Sequence, residues 1–493
     1  MNDASAENEP SDDKEVTFNP ESVSASSFDE AEYKRIVRRV DWHLLPLVTL
    51  LYFLSYLDRG NIGNAKIAGM ASDAHLDGLK YNILAAVFFV PYALAEIPSN
   101  ILLKLVRPSR WIPFIMVAWG LIMTLMCLCK TYHDLIIARV FLGLAEAGLF
   151  PGISFYLSIW YRRCDLSSRI AIFFSAATIS GAFGGLLACV TTCPPKFCIE
   201  KMEGIGGLHG WQWIFGLEGM ATVLCAIAAF FFMQDYPDSA TFLTETQKMR
   251  LLQTLREDTQ GAATHFDMKF VWQALCDYKS WVQVFIYMGN AVAATALSLF
   301  LPTIMQDLGL ANADAQLLTI PPFVCGFPRT ILIGFLSDRL NLRGPFIVCG
   351  SVVALVGCII LYTQSAPGPS YFGTFLVAIG AYPTIPLNIS WAMSNAGGEV
   401  KKGVVVAMIV GSANLGGICA SFAYTTPPRF HVGHGIIMGW LGLSIICSLF
   451  ALWNFRRLNR EKKERCQEKH LDEGRSTEFA EMGSESPLFR FSF

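Results

Sequence analysis

The chain has 493 residues, of which 53% are hydrophobic, 13% aromatic and only 16% charged, with a formal net charge of −2. Soluble domains carry about 25% charged residues, so the composition excludes an ordinary soluble protein and indicates an integral membrane one. The near-balanced charge argues against nucleic acid, or any strongly charged surface, as a partner.

Residues 1–40 are polar and acidic and lack the apolar core of a signal peptide, so no cleavable leader is expected. With too few apolar groups to fold, they read as a disordered tail closed by the basic run from Lys34 to Arg39. Twelve apolar runs of about twenty residues follow, the length a helix needs to cross about 30 Å of hydrocarbon. They lie near 44–64, 81–103, 111–130, 134–158, 168–191, 212–233, 281–306, 317–337, 345–364, 371–394, 404–425 and 435–456. Residues Phe150-Pro151 to Gly184-Gly185 align with Tyr382-Pro383 to Gly416-Gly417, an internal repeat at a spacing of about 232 residues. The expected fold is therefore an all-α membrane protein, with twelve transmembrane helices in two pseudosymmetric six-helix bundles. The bundles are expected at 41–233 and 281–457, with a linker at 234–280 and a second tail at 458–493.

Lys and Arg gather in alternate loops, at Lys104/Arg107/Arg110, Arg162/Arg163/Arg169, Arg339/Arg343 and Lys401/Lys402, and beyond both end spans. The positive-inside rule then places both termini and the linker in the cytoplasm. Within the linker, Thr244-Glu245-Thr246-Gln247 reads as a capping box opening an amphipathic helix on the membrane face. Most cysteines fall in apolar spans as small hydrophobes; Cys193 and Cys198, in an outer loop, are either a disulfide or two free thiols.

Charges inside the spans carry the functional signal, since each costs roughly 2.5 to 3.5 kcal/mol at a helix centre on insertion scales and normally faces a cavity or a partner. Arg139 and Glu146 in span 4 are seven residues apart, so they share one helix face about 10 Å apart along the axis. That separation is too long for a direct pair, which favours a proton-carrying Glu146 over a permanently ionised partner of Arg139. Pro151-Gly152 is expected to bend the helix just past the glutamate. In span 1, Asp58 and Arg59 are neighbours and point about 100° apart. Asp58 is therefore expected against Arg139, and Arg59 toward a central cavity where its planar fork suits a carboxylate. Asn61 shares a face with Asp58 and either contacts substrate or satisfies that carboxyl. Glu96, Asn100 and Lys104 form one stripe on span 2, read as a cytoplasmic gate brace, with Asp338 and Arg339 as its second-half counterpart. Glu218, near Trp211 and Trp213, reads as a local packing cap at the outer start of span 6. No metal-ligand spacing, nucleophile elbow or phosphate loop is present, so neither an enzyme nor a cofactor is expected.

Gly334-Phe335-Leu336-Ser337-Asp338-Arg339, continuing to Arg343-Gly344, resembles the loop motif of the major facilitator superfamily, and the similarity covers roughly residues 40 to 460. The stretches Tyr56–Lys66, Glu96–Arg107, Arg139–Gly152 and Asn388–Asn395 resemble the anion:cation symporters, specifically the fungal allantoate-permease branch. The resemblance implies proton-coupled uptake of a small organic anion at the plasma membrane by a monomer, with substrate, protons and the bilayer as partners. It assigns proton coupling to Asp58 and Glu146, substrate-carboxylate binding to Arg59, a charge-partner role to Arg139, and pocket positions to Trp391, Asn414 and Tyr92. Export of a fungal secondary metabolite on the same scaffold is the alternative, because direction depends on gradients rather than on these residues.

Overall fold

The computed structural model describes residues 30–65, 69–76, 79–190, 204–259, 267–307, 318–364, 366–423, 430–468 and 482–493. Among them are twelve helices long and apolar enough to cross a membrane and no strand. Spans 1 to 6 are Glu30–Gly63, Lys80–Leu103, Pro108–Leu128, Tyr132–Trp160, Arg163–Phe183 and Gly210–Phe232. Spans 7 to 12 are Tyr278–Leu299, Ile320–Leu340, Gly344–Thr363, Pro367–Asn395, Glu399–Phe422 and His431–Glu468. The Cys193 and Cys198 question lies outside the described residues.

Packing reproduces the internal repeat. Span 1 lies against spans 5 and 6, span 2 against span 4, and span 3 against span 6. Adding six to each number gives pairs 7 with 11, 7 with 12, 8 with 10, and 9 with 12, all of which are also in contact. The halves meet where span 2 packs on span 11 and span 5 on span 8, the same relation with the halves exchanged.

Two boundaries differ from the sequence reading. The first helix begins at Glu30, so residues 30–40 are helical rather than part of a disordered tail. Tyr33, Ile36, Val37 and Val40 recur at helical spacing and are all buried, an amphipathic signal that the surrounding basic residues mask. The tail Tyr33 hydroxyl donates to Asp165 (3.1 Å), and the guanidinium of Arg162 lies 3.9 Å over its ring. At the other end, residues 482–493 are docked against spans 7, 10, 11 and 12. In the linker, Gln247 Oε1 accepts from the Thr244 N–H (3.3 Å), the returning arm of the expected capping box, and Arg39 donates to the same oxygen (3.2 Å).

Span 4 breaks between Ala147 and Gly148, just past Glu146, where the bend is expected. Pro151 has no N–H to donate to the Ala147 carbonyl, so the first helix ends there. Gly148 takes φ of 93°, a left-handed conformation suited to glycine, in contact with the Ser99 side chain. A second helix restarts at Leu149 with Pro151 in its first turn, where a missing donor leaves nothing unpaired. Span 2 is interrupted beside it at Val87-Phe88, and Gly143 of span 4 packs directly on the Phe88 backbone. The two interruptions hold Glu146 and the Tyr92 turn against span 1.

Candidate functional site

Span 1 presents Ser55, Asp58, Arg59 and Asn61 on two faces, and each face meets a different carboxyl partner. Toward span 4, Arg59 Nε donates to Glu146 Oε1 at 2.7 Å, and Ser55 Oγ donates to the same oxygen at 2.7 Å. The Arg59 guanidinium lies 4.9 Å from the Tyr92 ring centroid and 5.8 Å from those of Tyr56 and Phe88, a cage of aromatic faces around a cation. Glu146 is sealed at 1% exposure while the Arg59 side chain keeps 23%, so a ligand reaching this ion pair meets the arginine first.

Across the midline, Asn414 of span 11 donates to Glu96 Oε2 at 3.4 Å and to the Val410 carbonyl at 3.0 Å. Glu96 Oε1 and the Tyr92 hydroxyl are buried without a hydrogen-bond partner. Tyr287 of span 7 stands near enough to Tyr56, Tyr92, Glu96 and Arg59 to interact with them electrostatically. This brings Arg59, Tyr92, Glu146 and Asn414 to one place, together with Glu96, which the sequence reading put at a gate. Glu96 sits one turn past Tyr92 on the same face and faces the centre of the protein.

The other face of span 1 holds a second cluster. Asp58 Oδ2 accepts from Trp119 Nε1 of span 3 (2.7 Å) and Thr222 Oγ1 of span 6 (3.4 Å). Asn61 Nδ2 donates to Glu218, one turn before Thr222 on span 6. The expected Asp58–Arg139 pair does not form. Arg139 is buried with Nε and Nη2 lacking any hydrogen-bond partner, and Asp58 and Glu146 are nearby rather than bonded to it. The reason is Trp119, whose indole donor takes the Asp58 carboxyl toward spans 3 and 6. Asn61 is fully buried and its amide donates to Glu218 rather than to Asp58, so it presents no accessible surface. Glu218, itself half-buried, thus joins the polar network of Asp58, Asn61 and Thr222 rather than acting as a packing cap; its one-turn spacing to Thr222, opposite Asp58 and Asn61, is the available signal.

Trp391 is corrected outright. It is fully buried, donates Nε1 to the Ser492 carbonyl (2.9 Å), and packs on Phe455 and Phe491 at the end of span 10, away from Arg59. At that end the halves are tied together. Asp338 accepts from the backbone N–H groups of Ser167 (3.1 Å) and Ser168 (2.6 Å), capping the start of the span 5 helix from across the interface. Arg343 donates to Ser167 Oγ (2.7 Å) and the Arg163 carbonyl and lies 3.8 Å from Asp338. Asp338 thus makes the expected contact between halves, whereas Arg339 is exposed and Arg343 is its cationic partner. Asn100 donates to the Gly403 carbonyl (3.3 Å), the matching tie between spans 2 and 11; the Lys104 side chain lies outside the described residues.

The sequence pattern of the Major Facilitator Superfamily matches residues 48–421. The chain belongs to that superfamily. As a member it is a multi-pass membrane transporter and not an enzyme. It is 33% identical over 450 residues to an uncharacterized transporter of Schizosaccharomyces pombe, covering 91% of this chain and 89% of that one. It is 30% identical to the high-affinity nicotinic acid transporter of Saccharomyces cerevisiae, over 94% of this chain and 88% of that protein. An MFS-type transporter of Penicillium expansum is 32% identical over 94% and 91% of the two chains. Among solved structures, the proton:xylose symporter XylE superposes with a TM-score of 0.63 at 14% identity, over 83% of this transporter and 95% of that chain. The human organic anion transporter MFSD10 gives 0.61 at 10% identity, over 83% and 99%. At these identities the solved structures speak for the fold alone.

Proposed function

We propose that this transporter is a proton-coupled symporter of a small organic anion, of the anion:cation symporter type and its allantoate-permease branch, in the plasma membrane with both termini cytoplasmic. The Arg59–Glu146 ion pair carries this reading. A guanidinium that is partly exposed and caged by aromatics offers a bidentate seat for a carboxylate. Its resident partner is a buried glutamate that loses its counter-charge when a substrate carboxylate takes the arginine. A carboxylate left unpaired in a low-dielectric site is unfavourable, so anion binding at Arg59 promotes proton binding at Glu146. Substrate and proton thereby load together, which is symport. The nicotinic acid named for one relative is a carboxylate of suitable size, and it supports the anionic class.

Uptake of a panel of labelled small carboxylates, nicotinate included, by cells expressing the protein at two external pH values tests the reading. Accumulation should rise at the lower pH. Arg59→Lys should reach the membrane normally yet lose affinity by about 10-fold or more, the loss expected when a charged hydrogen bond of about 1.5–3 kcal/mol is removed. No carboxylate uptake at either pH, or unchanged affinity in the lysine variant, overturns the assignment. For orientation, a protease site inserted in the linker should remain uncut from outside intact cells; external cleavage reverses the topology.

A further inference from the structure

Asp58 and Glu218 stand side by side, close enough to interact directly, with Asp58 fully buried between spans 1, 3, 4 and 6. Among the described residues every hydrogen bond to this pair comes from a neutral donor: Trp119 and Thr222 to Asp58, Asn61 to Glu218. Asp58 Oδ1 has no partner, and neither has Asn61 Oδ1, although both are sealed from solvent. Two ionised carboxylates cannot bond each other, and a buried acceptor left unpaired is destabilising. One added proton removes the repulsion and pairs the Asp58 oxygen, because a carboxylic acid donates to the carboxylate beside it.

The wider charge balance points the same way. The groups that face Asp58 are Glu218 from span 6 and Glu146 and Arg139 from span 4, with Arg59 next to it on span 1. Around the two guanidiniums of Arg59 and Arg139 lie four carboxyls, those of Asp58, Glu96, Glu146 and Glu218. Arg59 is committed to Glu146, and Arg139 makes no bond to Asp58. Among the described residues no cation is therefore bonded to the Asp58–Glu218 pair, and like charges so close in a low-dielectric interior do not both ionise.

We propose that Asp58 and Glu218 together form a proton-binding site that holds one shared proton, with Trp119, Thr222 and Asn61 fixing the two carboxyls face to face. The proton-coupling unit then spans three helices: Glu146 on span 4 takes up a proton as substrate takes Arg59, and the pair joining spans 1 and 6 stores another behind it. This rests on the proton-coupled reading above for its role in transport, but the shared proton is a property of the resting protein. When the proton leaves, the two carboxylates repel, and spans 1 and 6 lose the carboxyl–carboxylate bond while keeping those of Thr222 to Asp58 and Asn61 to Glu218. That gives the pair a means of biasing the packing of the first half.

The test counts protons in purified protein without substrate. Infrared titration follows the carbonyl stretch of protonated carboxylic acids near neutral pH, in wild type, Asp58→Asn, Glu218→Gln and the double variant. A shared proton predicts that each single variant loses the same one-proton band and that the double variant loses no more. Additive losses, or an unchanged band in Glu218→Gln, overturn the proposal whatever the protein transports. Glutamine keeps the shape of Glu218 and its bond to Asn61, so folding is expected to survive. Trp119→Phe offers a second route should it not, because deleting a donor to Asp58 favours the protonated pair and moves loss of the band to higher pH; no movement counts against the site. In vesicles, Glu218→Gln should flatten the pH dependence of gradient-driven uptake. If wild type shows no pH-dependent carboxylate uptake while the shared band is present, the transport reading fails and the site stands.

Discussion

Glu146→Gln is expected to preserve exchange of substrate across the membrane and to abolish uptake against a gradient. Glutamine keeps the shape of the glutamic acid and can still accept a hydrogen bond from Ser55, but it carries no charge and cannot give up a proton. In the wild-type protein the empty carrier holds Arg59 on Glu146 at 2.7 Å. In the variant that ion pair is absent, so Arg59 is left free for substrate and the loaded form is favoured over the empty one. Exchange uses only loaded forms and continues. Concentrative transport must return the empty carrier, whose arginine now lacks a counter-charge in a low-dielectric site; breaking a buried pair by removing one partner costs about 3–5 kcal/mol. If most of that falls on the empty state, its return slows by at least about 100-fold, at 1.36 kcal/mol per tenfold. Reconstituted vesicles measure both processes in one preparation. Equal loss of exchange and uptake assigns Glu146 to structure alone, and full gradient-driven uptake removes it from the proton path.

The fold was legible because apolar run length and basic-loop alternation report on the bilayer, which acts on every span alike. Much of the site was legible for a related reason, since charges in such runs are few and each needs an explanation. What could not be read was which charge meets which. Asp58 has three neighbouring helices to choose from, and a neutral indole, Trp119, claims it instead of the oppositely charged Arg139. Glu96 and Glu218 were assigned to the ends of their helices because hydropathy gives span limits only to within a turn. The interruption at Val87-Phe88 places Glu96 in the interior, and the face of span 6 that meets Asn61 holds Glu218 half-buried beside it. Trp391 failed for a different reason. Its seat is filled by Phe491 and Ser492, a hundred residues further on, and no local pattern announces that a polar tail supplies a core. The two phenylalanines of that tail, Phe489 and Phe491, are spaced for one extended face, which was the only hint.

Deleting residues 482–493 is expected to loosen the closure between the halves at the end of the molecule where spans 5, 8 and 10 meet. Phe489 and Phe491 are 2% and 3% exposed, and fully burying a phenylalanine is worth about 1.5–3 kcal/mol. Their loss uncovers Trp391 and Phe455 and leaves the indole N–H without the Ser492 carbonyl. The tail also reaches the first half, since Arg163 lies 4.7 Å over the Phe489 ring, while Arg343 donates its backbone N–H to the Phe493 carbonyl (2.5 Å) and Nη1 to Ser492 (3.4 Å). Arg343 is the residue that holds Ser167 and Arg163 of the opposite half, so removing the tail frees the side chain on which that tie depends. Ser390, which shares a 2.6 Å hydroxyl contact with Ser167 at the closure, reports on it. A Ser390→Cys variant should react with a membrane-permeant thiol reagent at least about 10-fold faster after truncation, corresponding to a shift of about 1.4 kcal/mol toward the open form. Arg343→Gln should raise the rate in the full-length protein by a similar factor. Acid should act in the same direction. Burial alone would raise the Asp277 carboxyl, but Lys401 and Lys279 beside it hold it below the usual carboxylate range, and Lys279 likewise holds Glu485 of the tail low. A depressed carboxylate contributes stability above its unfolded pKa and loses it as pH falls through the folded one, so the tail's hold weakens only in acid below that range. An unchanged alkylation rate in the truncated protein would show that Asp338 capping span 5 and Asn100 on the Gly403 carbonyl close the halves without the tail.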